Sequence, residues 1–148
     1  MARSSTILVR ASGIRQPCFW MSKLIRFEQL VVWQRARKLT SEIYRASSCP
    51  PLSRDFGLKD QLRRAAVSVM SNIAEGFESN SLANFIRFLR IAKASAAEIR
   101  CQLCVTGDMG LLPPSLQESL IAQAEEVSRM LGGLIKSLDR RLHATRRL

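Results

Sequence analysis

Four stretches of the chain place apolar side chains at steps of three and four residues, and this spacing constrains the fold more than any other feature. Such steps keep side chains on one side of a helix with 3.6 residues per turn, whereas a half-buried strand alternates at every second residue. The first stretch carries Val32, Ala36, Leu39, Ile43 and Ala46. Because no stretch alternates as a strand does, the sequence predicts an all-α fold.

Turn-forming residues separate the stretches and predict where the helices begin and end. The first helix is predicted over about 28–47, before a pair of prolines that lack amide donors. Gly76 is predicted to end the second helix, and Ser79 or Ser81 to cap the third. The other three apolar stretches cover residues 58–77, 82–103 and 116–138.

Four long amphipathic helices joined by short connections bury their apolar sides only by folding back on one another. This predicts an antiparallel up-down four-helix bundle. With 148 residues and 47% hydrophobic composition, the chain has enough apolar side chains for one core and is not expected to be wholly disordered. Gly132 and Gly133 fall inside the fourth helix, where they indicate a close contact or a bend.

The composition divides the chain into three parts. Residues 1–26 contain five bases and no acid and show no sustained periodicity, so we expect a disordered basic extension there. The bundle domain is predicted over 27–141, and a basic tail over 142–148. Met21 begins a stretch that looks like an ordinary protein start. Residues 1–20 are therefore interpreted either as the product of a start codon assigned too far upstream or as an organelle-type presequence.

The formal net charge is +11, and most of the excess lies in the two ends rather than in the predicted bundle. Basic ends attract polyanions through long-range, salt-screened forces that need no shaped site. No run approaches the roughly 18 apolar residues of a membrane span, and the apolar cluster near the N terminus is shorter than a signal sequence requires. We therefore expect a cytoplasmic protein that does not bind a membrane.

Two of the predicted helices carry more small residues than an isolated bundle requires. These small residues are Ala65, Ala66, Ser68, Ser71 and Ala74 on the second helix and Ala92, Ala94, Ser95, Ala96 and Ala97 on the third. Tight packing inside one bundle accounts for them, or part of this surface packs against a second subunit. Trp33, Tyr44 and Phe88 fall beside the apolar stripes and are expected to be exposed, which favours self-association.

Several short segments of the sequence occur in the same order and with the same spacing as in a known protein family. They are Phe27-Glu28-Gln29-Leu30-Val31-Val32-Trp33-Gln34, Gln61-Leu62-Arg63-Arg64-Ala65-Ala66-Val67-Ser68, Asn72-Ile73-Ala74-Glu75-Gly76 and Phe85-Ile86-Arg87-Phe88-Leu89, followed by Glu98 and Gln102-Leu103. Over residues 27–139 the chain resembles the four-helix-bundle family of large-subunit (23S) rRNA-intervening sequence proteins. It is also similar to the accessory variability protein of diversity-generating retroelements. The resemblance to the family implies a homopentameric ring of four-helix protomers with no assigned catalytic activity. The similarity to the accessory variability protein implies binding to nucleic acid and to a reverse transcriptase.

Basic residues on three of the helices are the candidates for contact with RNA. They are Arg87, Arg90, Lys93 and Arg100, which share a face of the third helix, Lys59, Arg63 and Arg64 on the second, and Arg35, Arg37 and Lys38 on the first. In a ring such weak patches would repeat and their phosphate contacts would add, giving salt-dependent binding without base recognition. The same side chains are also interpreted as solvated, or as ion-pair partners of Glu75, Glu98 and Asp60.

Asn72, Glu75 and Glu98 are predicted to form a structural polar network. Glu75 and Glu98 could instead approach as paired carboxylates, but two buried acids near several arginines favour an ion-pair network. His143 is the only histidine and lies in the basic C-terminal segment, and the chain has no Gly-rich phosphate loop. We therefore expect no catalytic site and no cofactor.

Cys101 and Cys104 have the spacing of half a zinc site. A structural zinc site normally needs four ligands, and Cys18 and Cys49 form no second close pair. Four cysteines in a chain that is expected in the cytoplasm indicate reduced thiols rather than a disulfide framework. We therefore expect no metal site.

Taken together, these patterns predict a non-enzymatic, oligomeric binding or scaffold protein. Its leading partner is RNA or another nucleic acid, bound through basic surfaces without sequence specificity. The alternative is a protein-protein assembly factor with no nucleic-acid role, in which the basic ends are incidental.

Overall fold

The computed structural model describes residues 26–146, and four α-helices account for most of this range. The helices are α1 (Val31–Ser47), α2 (Phe56–Glu78), α3 (Leu82–Asp108) and α4 (Pro114–Arg146). No β-strand occurs between residues 26 and 146, so the all-α prediction is confirmed for this part of the chain. The predicted N-terminal extension, apart from Arg26, lies outside the described residues.

The four helices pack in a closed order around one core. Each helix contacts the next one in sequence, and α1 also contacts α4. The apolar stripes read from the sequence form this core, and their large, fully buried members include Leu39, Ile43, Leu62, Ile73, Phe85, Leu89, Ile99, Leu103, Leu120, Leu131 and Leu138. Burying one such side chain contributes about 1.5–3 kcal/mol, so the stripes supply the main driving force for packing.

Side chains and prolines at the helix starts satisfy or remove the amide groups that have no partner in a first turn. The hydroxyl of Ser81 accepts a hydrogen bond from the Asn84 amide at 3.4 Å, so the predicted capping of α3 by this serine is confirmed. Asp55 caps α2 by accepting from the Leu58 amide at 3.0 Å. α4 begins at Pro114, which has no amide hydrogen to leave unpaired.

Gly76 lies inside α2, so the predicted helix end at this residue is wrong. The helix continues to Glu78. Gly76 is buried, and a Cβ built on it would lie 2.7 Å from Phe88 Cβ and 3.0 Å from Cδ2 of Phe85. The glycine therefore lets α2 and α3 approach closely, a role that the local sequence does not distinguish from a helix stop.

A second glycine shapes the contact between α3 and α4. Gly107 faces Gln117, whose side-chain amide donates a hydrogen bond to the Leu103 carbonyl at 2.8 Å. A Cβ on Gly107 would overlap the Gln117 amide, so the glycine leaves the space that this hydrogen bond needs. Further along, Gly110 has a φ of 63°, which lets the chain turn from α3 towards α4.

The first helix begins later than the sequence predicts. A 3-10 turn at Phe27–Gln29 precedes α1, and the α-helix itself starts at Val31 rather than near 28. At this turn the Arg26 guanidinium donates to Glu28 Oε1 at 2.7 Å. This hydrogen bond lowers the pKa of the Glu28 carboxyl below its ordinary value.

The last helix ends later than the sequence predicts. α4 continues to Arg146, so the predicted boundary between residues 141 and 142 falls inside a helix. Leu142 follows Leu138 by four residues, extends the same apolar stripe and packs against the core, which explains why the helix continues. No helix in the described range, 26–146, combines the length and the apolar character needed to cross a lipid bilayer.

Candidate nucleic-acid interface

Two ion pairs join α3 to α4 along their contact. Arg90 donates to Asp139 at 2.9 Å, and Arg100 lies 3.3 Å from Glu125. The two carboxylates are 14 residues apart, about four helical turns, so they lie on the same side of α4. Because all four side chains are partly exposed, each pair contributes at most about 1 kcal/mol to stability.

Between these ion pairs, Lys93 on α3 faces Gly132 on α4. A Cβ built on Gly132 would lie 3.5 Å from Lys93 Nζ. Gly132 is seven residues from Glu125 and from Asp139, so the three α4 residues form one row. We call this arrangement the α3–α4 ladder: Arg100 opposite Glu125, Lys93 opposite Gly132, and Arg90 opposite Asp139.

The ladder shows which of the α3 cations predicted to bind RNA already have a carboxylate partner on α4. The contacts place Arg90, Lys93 and Arg100 on the edge of α3 that faces α4. Two of the three charges are balanced by α4 carboxylates that the sequence did not reveal as partners. Lys93 has no carboxylate within 4 Å among residues 26–146, so the free charge of this edge lies at the middle of the ladder.

Arg87 and Lys59 lie outside the ladder, and each covers an aromatic ring. The Arg87 guanidinium carbon is 4.4 Å from the Phe88 ring centroid, and Lys59 Nζ is 4.4 Å from that of Phe56. Lys59 also donates to the Ser53 carbonyl at 3.0 Å. Neither cation has a carboxylate partner in the described chain, so both stay available to an anion, though on different helices.

Arg63 is held by side chains of α1 and of the segment that follows it. Its Nε donates to the buried Ser47 hydroxyl at 2.7 Å, and its Nη2 donates to the Ser48 hydroxyl at 3.0 Å. Its guanidinium carbon lies 4.7 Å from the Tyr44 ring centroid. This arrangement connects α2 to α1 through hydrogen bonds, whereas the structural alternative predicted for Arg63 was an ion pair, which it does not form within residues 26–146.

The other bases named from the sequence mostly contact an acid or an aromatic ring of the described chain. Arg64 pairs with Asp60 at 2.7 Å, one turn earlier on α2. On α1, Arg35 lies 3.5 Å from Glu126, while Arg37 covers the Trp33 ring with its guanidinium carbon 5.8 Å from the centroid. Of the three acids considered as partners for these bases, Asp60 therefore pairs with an arginine, whereas Glu75 and Glu98 form no ion pair within residues 26–146.

Asn72 belongs to a polar network between α2 and α3, but Glu75 and Glu98 do not. The Asn72 amide donates to the Ser68 carbonyl at 2.8 Å, and the Ser68 and Ser95 hydroxyl oxygens are 2.8 Å apart. Glu75 and Glu98 are exposed, and neither forms an ion pair with any residue from 26 to 146. The prediction of a buried ion-pair network is wrong for these two acids, because both lie on outward sides of their helices.

Three bases on the outward side of α4 form a surface that the sequence reasoning missed. They are Arg129, Lys136 and Arg140, here called the α4 basic strip, and all are exposed. None has a carboxylate within 4 Å in the described chain; Arg140 Nε donates to the Lys136 carbonyl at 3.4 Å. Their spacing of seven and four residues keeps them on one side of a helix, and this pattern could have predicted the surface from the sequence.

Of the three aromatic side chains expected at the surface, only Tyr44 is exposed. Trp33 and Phe88 are half-buried. The Trp33 ring meets that of Phe27 edge to face, with centroids 5.1 Å apart, and Phe88 lies against Gly76. The two rings therefore pack within the chain rather than projecting from it.

One end of the molecule carries an apolar cleft of about 540 Å³, near the connections that follow α1 and α3. Its lining consists of Ala46, Cys49, Pro50, Leu111, Leu112, Pro113 and Leu116, with Glu42 and Arg45. Phe56 and Met109 are the most exposed large apolar side chains of the described chain, at 74% and 67%.

The described chain shows no cluster of metal ligands. In residues 26–146 no three His, Cys, Asp or Glu side chains lie close enough together to hold a metal ion. Cys49, Cys101 and Cys104 are free thiols at the surface.

Comparison with known proteins agrees with this architecture. The family model described as 23S rRNA-intervening sequence protein matches residues 28–133. A solved structure of similar fold is a protein of unknown function from the S23 ribosomal protein family of Bacteroides thetaiotaomicron. It has a TM-score of 0.67 and 25% sequence identity, over 72% of this chain and 99% of that chain. No curated protein gives a significant match, and the similarity to the accessory variability protein stays a prediction. Because the family model covers most of its length, the chain belongs to the 23S rRNA-intervening sequence protein family.

Proposed function

We propose that this protein is a non-enzymatic, cytoplasmic nucleic-acid-binding protein that contacts RNA or DNA phosphates without sequence specificity. The observation that supports this most directly is the unbalanced charge on α3 and α4. Lys93 and the α4 basic strip have no carboxylate partner within residues 26–146. The nearby acids, Asp139 and Glu125, already form ion pairs with Arg90 and Arg100. Surface cations without partners bind phosphates and release condensed counterions, which provides affinity independent of sequence.

The aromatic side chains support a phosphate-directed rather than a base-directed mode. Proteins that bind single strands through the bases present exposed rings on which the bases stack. Here Trp33 and Phe88 are half-buried, with Arg37 and Arg87 over their rings. The two exposed rings, Tyr44 and Phe56, are covered by Arg63 and Lys59. Contacts from lysine and arginine to phosphates position a nucleic acid but carry no sequence information.

We further propose that the four helices run antiparallel in an up-down bundle. The ladder contacts support this direction of α4 relative to α3. Arg90, early in α3, meets Asp139, late in α4, whereas the later Arg100 meets the earlier Glu125. Short connections such as the three residues between α2 and α3 also favour adjacent antiparallel helices.

The homopentameric ring that the family resemblance implies is part of the same proposal. Val67, Ile91 and Val105 are exposed on α2 and α3 and supply apolar surface that a subunit contact would bury. A ring would repeat the α4 basic strip, and its contacts with one nucleic-acid molecule would add. Light scattering is expected to give five times the 16.6 kDa chain mass, and the mass of a single chain at working concentration would refute the ring.

A second candidate function is a protein-protein assembly factor with no nucleic-acid role. The apolar cleft and the exposure of Phe56 and Met109 favour it, since apolar surface of this kind marks protein contacts. A reverse transcriptase, which the resemblance implies as a partner, would belong to this second candidate.

Salt-titrated binding to single-stranded RNA and to DNA separates the two candidates. We expect the logarithm of the affinity to fall linearly with that of the salt concentration, with a slope of about −0.7 for each phosphate contacted on a single strand. The measurement compares the full chain with a chain that begins at Met21, because the bases in residues 1–20 attract nucleic acid by themselves.

Two results would contradict the proposal in different ways. Absence of binding at low salt would remove the nucleic-acid function and favour the assembly factor. Binding that disappears with residues 1–20 would assign the contact to the N-terminal segment instead of the surface of α3 and α4.

A further inference from the structure

The α3–α4 ladder is incomplete at its middle position. Each outer position pairs an arginine of α3 with a carboxylate of α4, but in the middle Lys93 faces Gly132. The next residue, Gly133, is exposed, and beyond the adjoining α4 backbone no atom of residues 26–146 lies within 4 Å of a Cβ built on it. The surface here is therefore a shallow notch in which the α4 backbone carries no side chain.

Packing among residues 26–146 does not explain this glycine pair. At Gly76 and Gly107, another side chain occupies the space that a Cβ would need. A Cβ on Gly132 would meet only the end of a flexible lysine at an ordinary contact distance, and one on Gly133 would meet nothing. A glycine within a helix lowers stability by about 1 kcal/mol relative to alanine, so both residues weaken α4 without a compensating contact.

The charge around the notch is positive and has no internal partner. Lys93 Nζ lies beside Gly132, and the exposed Arg129 and Lys136 lie three residues before Gly132 and three residues after Gly133. None of these three cations has a carboxylate within 4 Å in the described range. A group of high negative charge, small enough to approach α4 between these side chains, complements the three cations.

The surroundings favour a nucleic-acid phosphate over an acidic protein surface. The exposed large apolar side chains of the described chain lie on α1, α2 and α3 or at their ends, and none lies on α4. Specific protein interfaces are anchored by buried aromatic or apolar side chains, whereas phosphate contacts need only charge and hydrogen-bond donors. The notch offers charge without an apolar anchor.

We propose that the notch formed by Lys93, Arg129, Gly132, Gly133 and Lys136 holds a backbone phosphate of the bound nucleic acid. This inference rests on the proposed function and names the place of contact. The missing side chains let the phosphodiester approach α4, where the Lys93 ammonium supplies a compact charge. Arg129 and Lys136, about 10 Å apart along the helix, reach neighbouring phosphates of the same strand.

Replacing Gly132 by glutamate tests the notch without endangering the fold. Gly132→Glu fills the notch, gives Lys93 the carboxylate that the other ladder positions already have, and raises helix propensity. We expect the affinity for a short fluorescein-labelled single-stranded RNA to fall about fivefold or more at physiological salt. The salt slope should become shallower by about 0.7 for each phosphate that the variant no longer binds. Circular dichroism should show a fold at least as stable as that of the wild type.

Three further variants separate charge, size and position. Gly132→Gln fills the same space without a charge and should weaken binding less than Gly132→Glu. Gln61→Glu adds the same charge at an exposed position of α2, and screening should limit its effect to less than about twofold. Lys93→Ala removes the central cation and should make the salt slope shallower, as Gly132→Glu does.

The outcomes distinguish failure of the notch from failure of the proposed function. If the wild type binds RNA and Gly132→Glu binds it as tightly as Gln61→Glu, the notch is refuted and the nucleic-acid function stands. If the wild type binds no RNA at low salt, both are refuted. If a polyglutamate peptide displaces the RNA at the same charge concentration, the notch belongs to an acidic protein partner and not to a phosphate.

Discussion

Replacing Phe85 by alanine is expected to lower the free energy of unfolding by about 3–5 kcal/mol, because it leaves a cavity in the centre of the core. Phe85 is 1% exposed, and its ring meets that of Phe77 edge to face with centroids 6.0 Å apart. The measurement is chemical denaturation followed by circular dichroism. It uses one fixed protein concentration, since subunit association would shift the apparent stability.

Phe56→Ala is the matched control for this substitution. Phe56 is 74% exposed and contacts the end of Lys59 across its ring. Removing the same aromatic ring here is expected to change the free energy of unfolding by no more than about 0.5 kcal/mol. Similar losses for the two variants would show that Phe85 does not belong to the core as described.

Gly76→Ala is expected to lower the free energy of unfolding by about 1–3 kcal/mol, although alanine is the better helix former. The new methyl group would lie 2.7 Å from Phe88 Cβ, an atom attached directly to the α3 backbone. The overlap is therefore relieved only by moving α3 away from α2, which loosens the packing of both helices around Phe85. Thermal and chemical denaturation measure this decrease.

The same substitution at Gly133 should have the opposite sign. In the described chain no atom outside the adjoining α4 backbone lies within 4 Å of a Cβ built there, so Gly133→Ala is expected to raise the free energy of unfolding by up to about 1 kcal/mol. The two variants make an identical chemical change within helices of one chain. Higher stability for the Gly76 variant, or lower stability for the Gly133 variant, would contradict the packing described for that residue.

The helices were predictable because the period of the apolar residues alone determines both the helix and its inward side. Ile43, Leu89 and Ile99 are fully buried where the spacing placed them. Helix ends were predictable where the cap has its own chemistry, as at Ser81. The prediction failed at Gly76, since a glycine that ends a helix and one that admits a neighbouring helix have the same local sequence.

The charge balance of the candidate interface was less predictable. Helical spacing placed Arg90, Lys93 and Arg100 on one face, but their partners depend on which helix lies beside α3 and on its alignment. Only the structure shows that carboxylates of α4 form ion pairs with the two arginines and that a glycine faces the lysine.

The width of the buried strip on each helix is a second property that spacing does not define. Glu75 and Glu98 lie close to the apolar stripes in sequence and were therefore predicted to be buried. Both side chains are exposed. Asn72, on the same helix as Glu75, does join the contact between α2 and α3 through Ser68. Asn72 and Glu75 are three residues apart, so a rotation of only about 60° around the helix separates a packed side chain from a solvated one.

The hydrogen bond of Gln117 beside Gly107 has a consequence for how α3 and α4 align. If α4 slid by two turns, Glu118 would face Arg100 and Glu125 would face Lys93, so the ion pairs alone do not choose between the two alignments. Gly107 is the only glycine in α3, and it alone leaves room for the Gln117 amide to reach the backbone. This glycine therefore fixes the axial position of α4, and through that position it determines whether Lys93 or Arg90 is the α3 cation without a carboxylate partner.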